Sequence, residues 1–203
     1  MRIGVIDYGV GNLASVFKAL RFVGASPSLA PDAASLSTFD AIVIPGVGHF
    51  AATATLNQNW RGPIAAAVGR GVPILGICLG MQWLFDGSTE APRIPGLGVI
   101  EGSCSILSGD VKVPHVGWNT LERTTRASVL LDGVAAGAAA YFTHSYAAPL
   151  TARAVTTTTH GREFASTVEQ GHVMGVQWHP EKSGAVGLAV LSNFVAFTQE
   201  AAC

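Results

Sequence analysis

The segment that most constrains the fold is Val72-Pro73-Ile74-Leu75-Gly76-Ile77-Cys78-Leu79-Gly80-Met81-Gln82. Its first half is a short, continuously apolar run, the pattern of a strand buried on both faces. It runs into Gly76-x-Cys78-x-Gly80 and then into residues of helical character. A strand–turn–helix of this kind lifts one side chain out of a sheet and sets it at a helix N-terminus, as the serine elbow of α/β-hydrolases does. A thiol there meets the positive end of the helix dipole, which favours the reactive thiolate. The flanking glycines are expected to permit the strained backbone and to leave room for a substrate. On these residues alone, a buried cysteine in an ordinary βα unit is the alternative.

Two further runs share the form. Residues 2–7 are apolar and β-branched and lead to Gly9-Val10-Gly11, with helical spacing after it in Leu13, Val16, Phe17, Leu20 and Val23. Residues 39–45 close on Gly46-Val47-Gly48, and a helix is expected over 60–70, stopped by Gly71. Buried strands with helical crossovers imply an α/β fold with a mostly parallel central sheet flanked by helices. Beyond Gly98 the pattern changes. Residues 111–121, 141–148, 152–158, 163–169 and 173–178 read as short strands joined by turns, a smaller antiparallel portion in the C-terminal half. A last helix is expected from Ala185 to about Gln199, and no linker-like shift divides residues 1–203, so one domain is expected.

Composition excludes several function classes. Only 12% of the 203 residues are charged and 49% are hydrophobic, so large faces must be buried, part of them against a partner. A net charge of −1 gives no electrostatic basis for nucleic-acid or membrane binding. Residues 1–7 read as a strand rather than a signal sequence. Three irregularly spaced cysteines, Cys78, Cys104 and Cys203, form no disulfide framework, so a cytoplasmic location is expected. No metal is expected, since neither Cys104 nor Cys203 has ligand spacing and H-E-x-x-H is absent. Gly9-Val10-Gly11-Asn12-Leu13-Ala14 matches the dinucleotide pattern, with Asp32 near the place of a ribose-binding acid. Glycine-rich βα turns are common for steric reasons alone, so no cofactor is expected and a nucleotide-binding module is the alternative reading.

The second informative block is Gly175-Val176-Gln177-Trp178-His179-Pro180-Glu181-Lys182-Ser183. Pro180 biases His179 toward extended backbone, where residues two apart share a face, so His179 and Glu181 are expected side by side. A carboxylate beside an imidazole fixes its tautomer and stabilises its protonated form. With the cysteine upstream this gives a Cys78–His179–Glu181 triad. His49, His115, His144, His160 and His172 lack such an arrangement and are expected to be structural or surface residues. An oxyanion formed at Cys78 needs donors: the Leu79 N–H is one candidate. The other is the Val47 N–H, aimed inward by rotation of the Gly46–Gly48 turn; a simple tight turn is the alternative there.

GICLGMQ (76–82), PGVG (45–48) and GVQWHPEKS (175–183) together resemble the class I (triad) glutamine amidotransferases. IDYGVGNLASV (6–16), VPHVGWN (113–119) and YFTHSY (141–146) are similar to the glutaminase subunits of imidazole glycerol phosphate synthase in histidine biosynthesis. The resemblance spans essentially the whole chain, with Trp178 where phenylalanine is more usual. It implies a flavodoxin-like fold and a thioester mechanism. Cys78 would attack the side-chain amide of L-glutamine, His179 would pass a proton to the departing ammonia, Glu181 would orient His179, and water would release glutamate. Gln82 and Glu90, with the Ser145-Tyr146 backbone, would hold the amino-acid end. The resemblance further implies a heterodimer with a (β/α)₈-barrel cyclase. That partner would use the ammonia to form imidazole glycerol phosphate and aminoimidazole carboxamide ribotide. Asn12, Trp118, Asn119, Tyr141 and Lys182 are candidate interface or gating positions, with surface or core packing as the alternative for each. A subunit of another amidotransferase, such as pyridoxal phosphate synthase, would share the elbow and His-Pro-Glu but not the 113–119 block.

Overall fold

The computed structural model describes residues 1–201; Cys203 lies outside the described residues. The N-terminal half runs β1 (Arg2–Ile6), α1 (Leu13–Phe22), β2 (Ser26–Ala30), β3 (Ala41–Ile44), α2 (Ala54–Asn59), α3 (Arg61–Gly69), β4 (Ile74–Ile77) and α4 (Leu79–Leu84). The C-terminal half has β5 (Gly87–Ser88), β6 (Ser103–Ile106), β7 (His115–Thr120), β8 (Glu122–Arg123) and β9 (Ala139–His144). It continues with β10 (Tyr146–Ala147), β11 (Ala154–His160), β12 (Arg162–Gln170), β13 (Val173–Val176) and α5 (Gly184–Ala201).

Eight strands form the main sheet in the order β2-β1-β3-β4-β13-β12-β11-β8. The five from β2 to β13 are parallel, and β12, β11 and β8 extend them as an antiparallel wing. The continuous apolar runs are explained by burial on both faces. Ile3 and Val5 of β1, Val43 of β3 and Leu75 of β4 pack with Val16 and Leu20 of α1 and Phe194 of α5. Their alternates Ile6, Ile42, Ile44 and Ile74 pack on the other face with Phe50, Leu56, Trp60 and Ile64. Each such side chain contributes about 1.5–3 kcal/mol on burial.

Register decides where the site falls. Strand β13, late in the sequence, inserts beside β4 with Val176 opposite Ile77, and β3 flanks β4 on the other side with Ile44 opposite Gly76. Residues 45–48, Cys78 and residues 177–181 therefore leave the sheet together at the C-terminal ends of its parallel strands, where open α/β sheets bind ligands.

Several elements differ from the sequence reading. Strand β2 carries Pro27 at the sheet's edge, where a strand tolerates proline, and that residue hid it. Residues 141–148 are not one strand: the chain breaks at Ser145, so β9 pairs with β7 while β10 joins β6 and β5 in a small separate sheet. Of residues 111–121, only His115–Thr120 is strand. The last helix is longer at both ends than expected, Gly184–Ala201.

Candidate active site

Cys78 caps the N-terminus of α4 with φ 52° and ψ −107°, and among the described residues it is the only non-glycine with positive φ. Such a conformation costs about 1–3 kcal/mol and persists only where neighbours enforce it. Here the Cys78 N–H donates to Val176 O (2.8 Å) and the Gln82 N–H closes the first helical turn on Cys78 O (3.0 Å). The expected role of the flanking glycines needs correction, because the strain sits on Cys78 itself. A Cβ on Gly80 would lie 1.8 Å from Ile44 O, and one on Gly76 2.7 Å from Met81 N. These glycines let α4 press against the ends of β3 and β4.

His179 Nδ1 lies 2.8 Å from Glu181 Oε1, both side chains 2% exposed. The pair forms by a different route from the one expected. His179 is extended (φ −102°, ψ 98°), but Pro180–Lys182 is a 3₁₀ turn, which folds Glu181 back to the Nδ1 edge of the ring. Burial pulls the imidazole pKa down, yet the neighbouring Cys78 and Glu181 outweigh it and push it up to about 10. No hydrogen bond to Nε2 is closed among the described residues. That nitrogen is free for a reacting group. Trp178 is fully buried and its indole N–H donates to Thr167 Oγ1 (3.0 Å), so the larger ring brings no unsatisfied polar atom beside the base.

The two N–H groups expected to bind an oxyanion do not converge in this conformation. The Leu79 N–H is taken by Gly46 O at 3.3 Å. A trans peptide plane sets C=O and N–H in opposite directions, so the Val47 N–H points away from the Leu79 N–H. Gly46 is tightly held, since a Cβ there would meet Tyr8 Oη at 2.2 Å, while Gly48 has φ 92° and is exposed.

A cleft of about 260 Å³ opens over the elbow, lined by Gly48, His49, Cys78, Gln82, Glu90 and Ser145 among others. Gln82 Nε2 donates to Tyr146 O (2.8 Å) and to Gln177 Oε1 (3.1 Å), and Gln177 Nε2 donates to Cys78 Sγ (3.7 Å). Glu90 Oε2 accepts from the Phe50 N–H (2.7 Å), tying the cleft wall to the chain just after Gly48. The Ser145 carbonyl accepts from the Leu107 N–H, and that of Tyr146 from both Gln82 and His144.

A family model for glutamine amidotransferase class-I matches residues 4–197. The chain is a class I glutamine amidotransferase. The amidotransferase is 43% identical to imidazole glycerol phosphate synthase subunit HisH of Salinibacter ruber, the alignment covering 97% of this chain and 96% of that one. Identity to the subunit of the same name from Deinococcus radiodurans is 44%, over 94% and 91% of the two chains. A solved glutamine amidotransferase superposes with a TM-score of 0.76 at 18% identity, covering 97% of this chain and 98% of that one. The PurLQS structure from Thermotoga maritima gives 0.75 at 21%, with the same coverage. These two matches carry the fold alone.

Of the candidate interface residues of the amidotransferase, three form one patch. Trp118 and Tyr141 are cross-strand neighbours packed edge-on at 6.2 Å, and Lys182 Nζ sits 5.7 Å from the Tyr141 ring centre. Trp118 is 59% exposed. The patch is joined to the base: Tyr141 O accepts from the His179 N–H (2.9 Å), and Ser183 Oγ bridges Tyr141 N and His179 O. Asn12 instead caps α1, accepting from the Ser15 N–H. Asn119 turns inward, bonding Thr159 O and His115.

Two residues, Gln177 and Tyr8, escaped the sequence reading. Gln177 is a polar residue closing an apolar strand, a signal that was available. Tyr8 depends on tertiary contacts, as does the arrangement of the three histidines, in which His115 stacks on His160 and meets His144 edge-on. His144 Nδ1 faces the Tyr146 carbonyl (2.9 Å) and must donate, so its Nε2 accepts from His115 Nδ1 at 3.1 Å. Burial pulls His144 down to about 3 and His115 to about 4. The Gly9–Ala14 turn is built by Asp7, whose Oδ1 accepts from the Gly9 N–H, and Asp32 caps the turn at Ser35. Among the described residues no group of three His, Cys, Asp or Glu could hold a metal ion, and no helix is long and apolar enough to cross a membrane.

Proposed function

We propose that this amidotransferase is the glutaminase subunit of an imidazole glycerol phosphate synthase, hydrolysing L-glutamine through a thioester on Cys78. The observation that carries the subunit assignment is the 43–44% identity to HisH subunits over nearly the whole chain, and the elbow cysteine near the buried His179–Glu181 pair under the cleft supports the thioester chemistry. Residues 1–203 act as one amidotransferase domain. Cys78 gives its proton to His179 Nε2, and Sγ bonds the amide carbon of glutamine. The C–N bond breaks as the Nε2 proton moves to nitrogen, and ammonia leaves. Water then gives a proton to His179 and attacks the thioester, releasing glutamate. Glu181 holds the ring through Nδ1 and stabilises its cationic form. Gln82 and Glu90 hold the amino-acid end of the substrate, with N–H groups of Ser145 and Tyr146.

The oxyanion donors are Leu79 N–H and, after rotation of the Gly46–Val47 peptide, Val47 N–H. The Leu79–Gly46 hydrogen bond supports a resting state that must be broken to work. The ammonia passes to a cyclase partner, a (β/α)₈ barrel, in a heterodimer located in the cytoplasm. The Trp118–Tyr141–Lys182 patch meets that partner, and its link to His179 carries the partner's influence inward. Glutamate release measured with and without the cyclase and its nucleotide ligand tests the reading. Strong stimulation is expected, lost in Cys78→Ala and in His179→Asn. High unstimulated turnover, or activity that survives Cys78→Ala, contradicts it.

A further inference from the structure

We propose that Gln177 is a further catalytic residue: its side-chain N–H holds the Cys78 sulfur at the point of attack, in an orientation set by Gln82. This rests on the thioester reading above. The orientation of the two amides follows from one fixed group. Tyr146 O can only accept, so the group 2.8 Å from it on Gln82 is the NH₂. The second proton of that NH₂ faces the Gln177 amide at 3.1 Å, so the atom it meets is the carbonyl oxygen. Gln177 Nε2 is then the atom left facing Cys78 Sγ, 3.7 Å away. Gln177 is fully buried and its own N–H is tied to Ser166 O (2.9 Å), so the side chain has no freedom to turn elsewhere.

The chain of donors has a direction. A sulfur anion gains from an N–H aimed at it, whereas a thiol proton needs an acceptor, and here that is Thr143 O at 3.9 Å. Gln177 therefore favours the form that attacks, and it gives up no atom when Sγ bonds the amide carbon. Both Gln82 protons are spent on Tyr146 and Gln177, which leaves only Gln82 Oε1 to face the cleft. A donor on the bound substrate that draws on Oε1 strengthens the hold of Gln82 on Gln177 and so of Gln177 on the sulfur. Occupancy of the cleft is read at the nucleophile through two amides.

The test compares wild type with Gln177→Leu and Gln177→Glu in the complex with the partner subunit. Leucine removes both bonds at similar volume and is expected to lower kcat by about 10-fold or more, with a much smaller change in KM. A protonated carboxyl can keep both bonds, so turnover of Gln177→Glu relative to wild type is expected to rise as pH is lowered from about 8 to 5.5. A packing role, met by volume alone, would leave kcat and Cys78 alkylation of Gln177→Leu close to wild type. Alkylation of Cys78 by iodoacetamide, read by mass spectrometry on the chain alone, is expected to slow in Gln177→Leu; should that variant not fold, the Gln177→Glu ratio decides. A flat ratio, or leucine kcat and alkylation within about twofold of wild type, overturns the proposal. If wild-type Cys78 is not the alkylated thiol, the thioester reading falls instead.

Discussion

At the residue scale, the environment of each group determines what its substitution does. Tyr8 Oη is buried and has no hydrogen-bond partner among the described residues, and burial pushes the phenol pKa up. Tyr8→Phe removes an unsatisfied hydroxyl and is expected to stabilise the fold by about 1 kcal/mol, roughly 2–4 °C in Tm; a lowered Tm would show that the hydroxyl is bonded. The histidines set a pH window for stability. His179 sits above its ordinary 6.5, so its contribution is complete below that value and is lost as pH rises toward about 10. His115 and His144 sit below it, so theirs is complete above 6.5 and lost as pH falls toward about 4 and 3. In Tm measured against pH, His179→Gln is expected to flatten the alkaline limb and His115→Gln the acid limb; unchanged limbs contradict these assignments. The proximity of His179 to Glu181 was legible because chemistry restricts such pairs to few sequence patterns. Gln177 was less legible, since its role exists only once β13 lies beside β4.

At the element scale, α4 and the 45–48 turn divide the work between rigidity and motion. Helix α4 is pressed onto Ile44 O through Gly80, and Gly80→Ala would set a Cβ 1.8 Å from that oxygen. Its expected outcome is failure to fold, read as loss of a cooperative melting transition and of soluble protein. The 45–48 turn is instead proposed to rotate a peptide. Val47→Pro deletes the N–H assigned to the oxyanion and is expected to lower partner-stimulated turnover about 100- to 1000-fold. Circular dichroism should stay close to wild type, and turnover close to wild type would remove Val47 from the mechanism. The strand–glycine–helix segments were readable because both faces of a parallel strand must be apolar. The break at Ser145 and the short strands β5, β6, β8 and β10 were not, because two- to four-residue strands carry too little periodicity to separate from turns. The turn's resting state was likewise unreadable: glycine says that a peptide can rotate, not which way it faces.

At the scale of the whole molecule, the topology explains why distant sequence blocks make one site. Inserting β13 between β4 and the antiparallel wing brings residues 99 positions apart into register, and the five parallel strands all deliver their C-terminal ends to one edge. The low charged fraction fits a chain that gives up surface to a partner, and the exposed Val116 (57%) and Trp118 (59%) lie on the patch proposed to meet it. A partner acting there must supply enough binding energy to break the Leu79–Gly46 hydrogen bond, on the order of 1 kcal/mol, and to hold the rotated peptide. The most direct measurement is labelling with an electrophilic glutamine analogue, located by mass spectrometry, with and without the cyclase and its nucleotide ligand. The account requires a single adduct on Cys78 that forms faster in the complex. An adduct on the buried Cys104 or on Cys203 in preference to Cys78, or labelling indifferent to the partner, would contradict it.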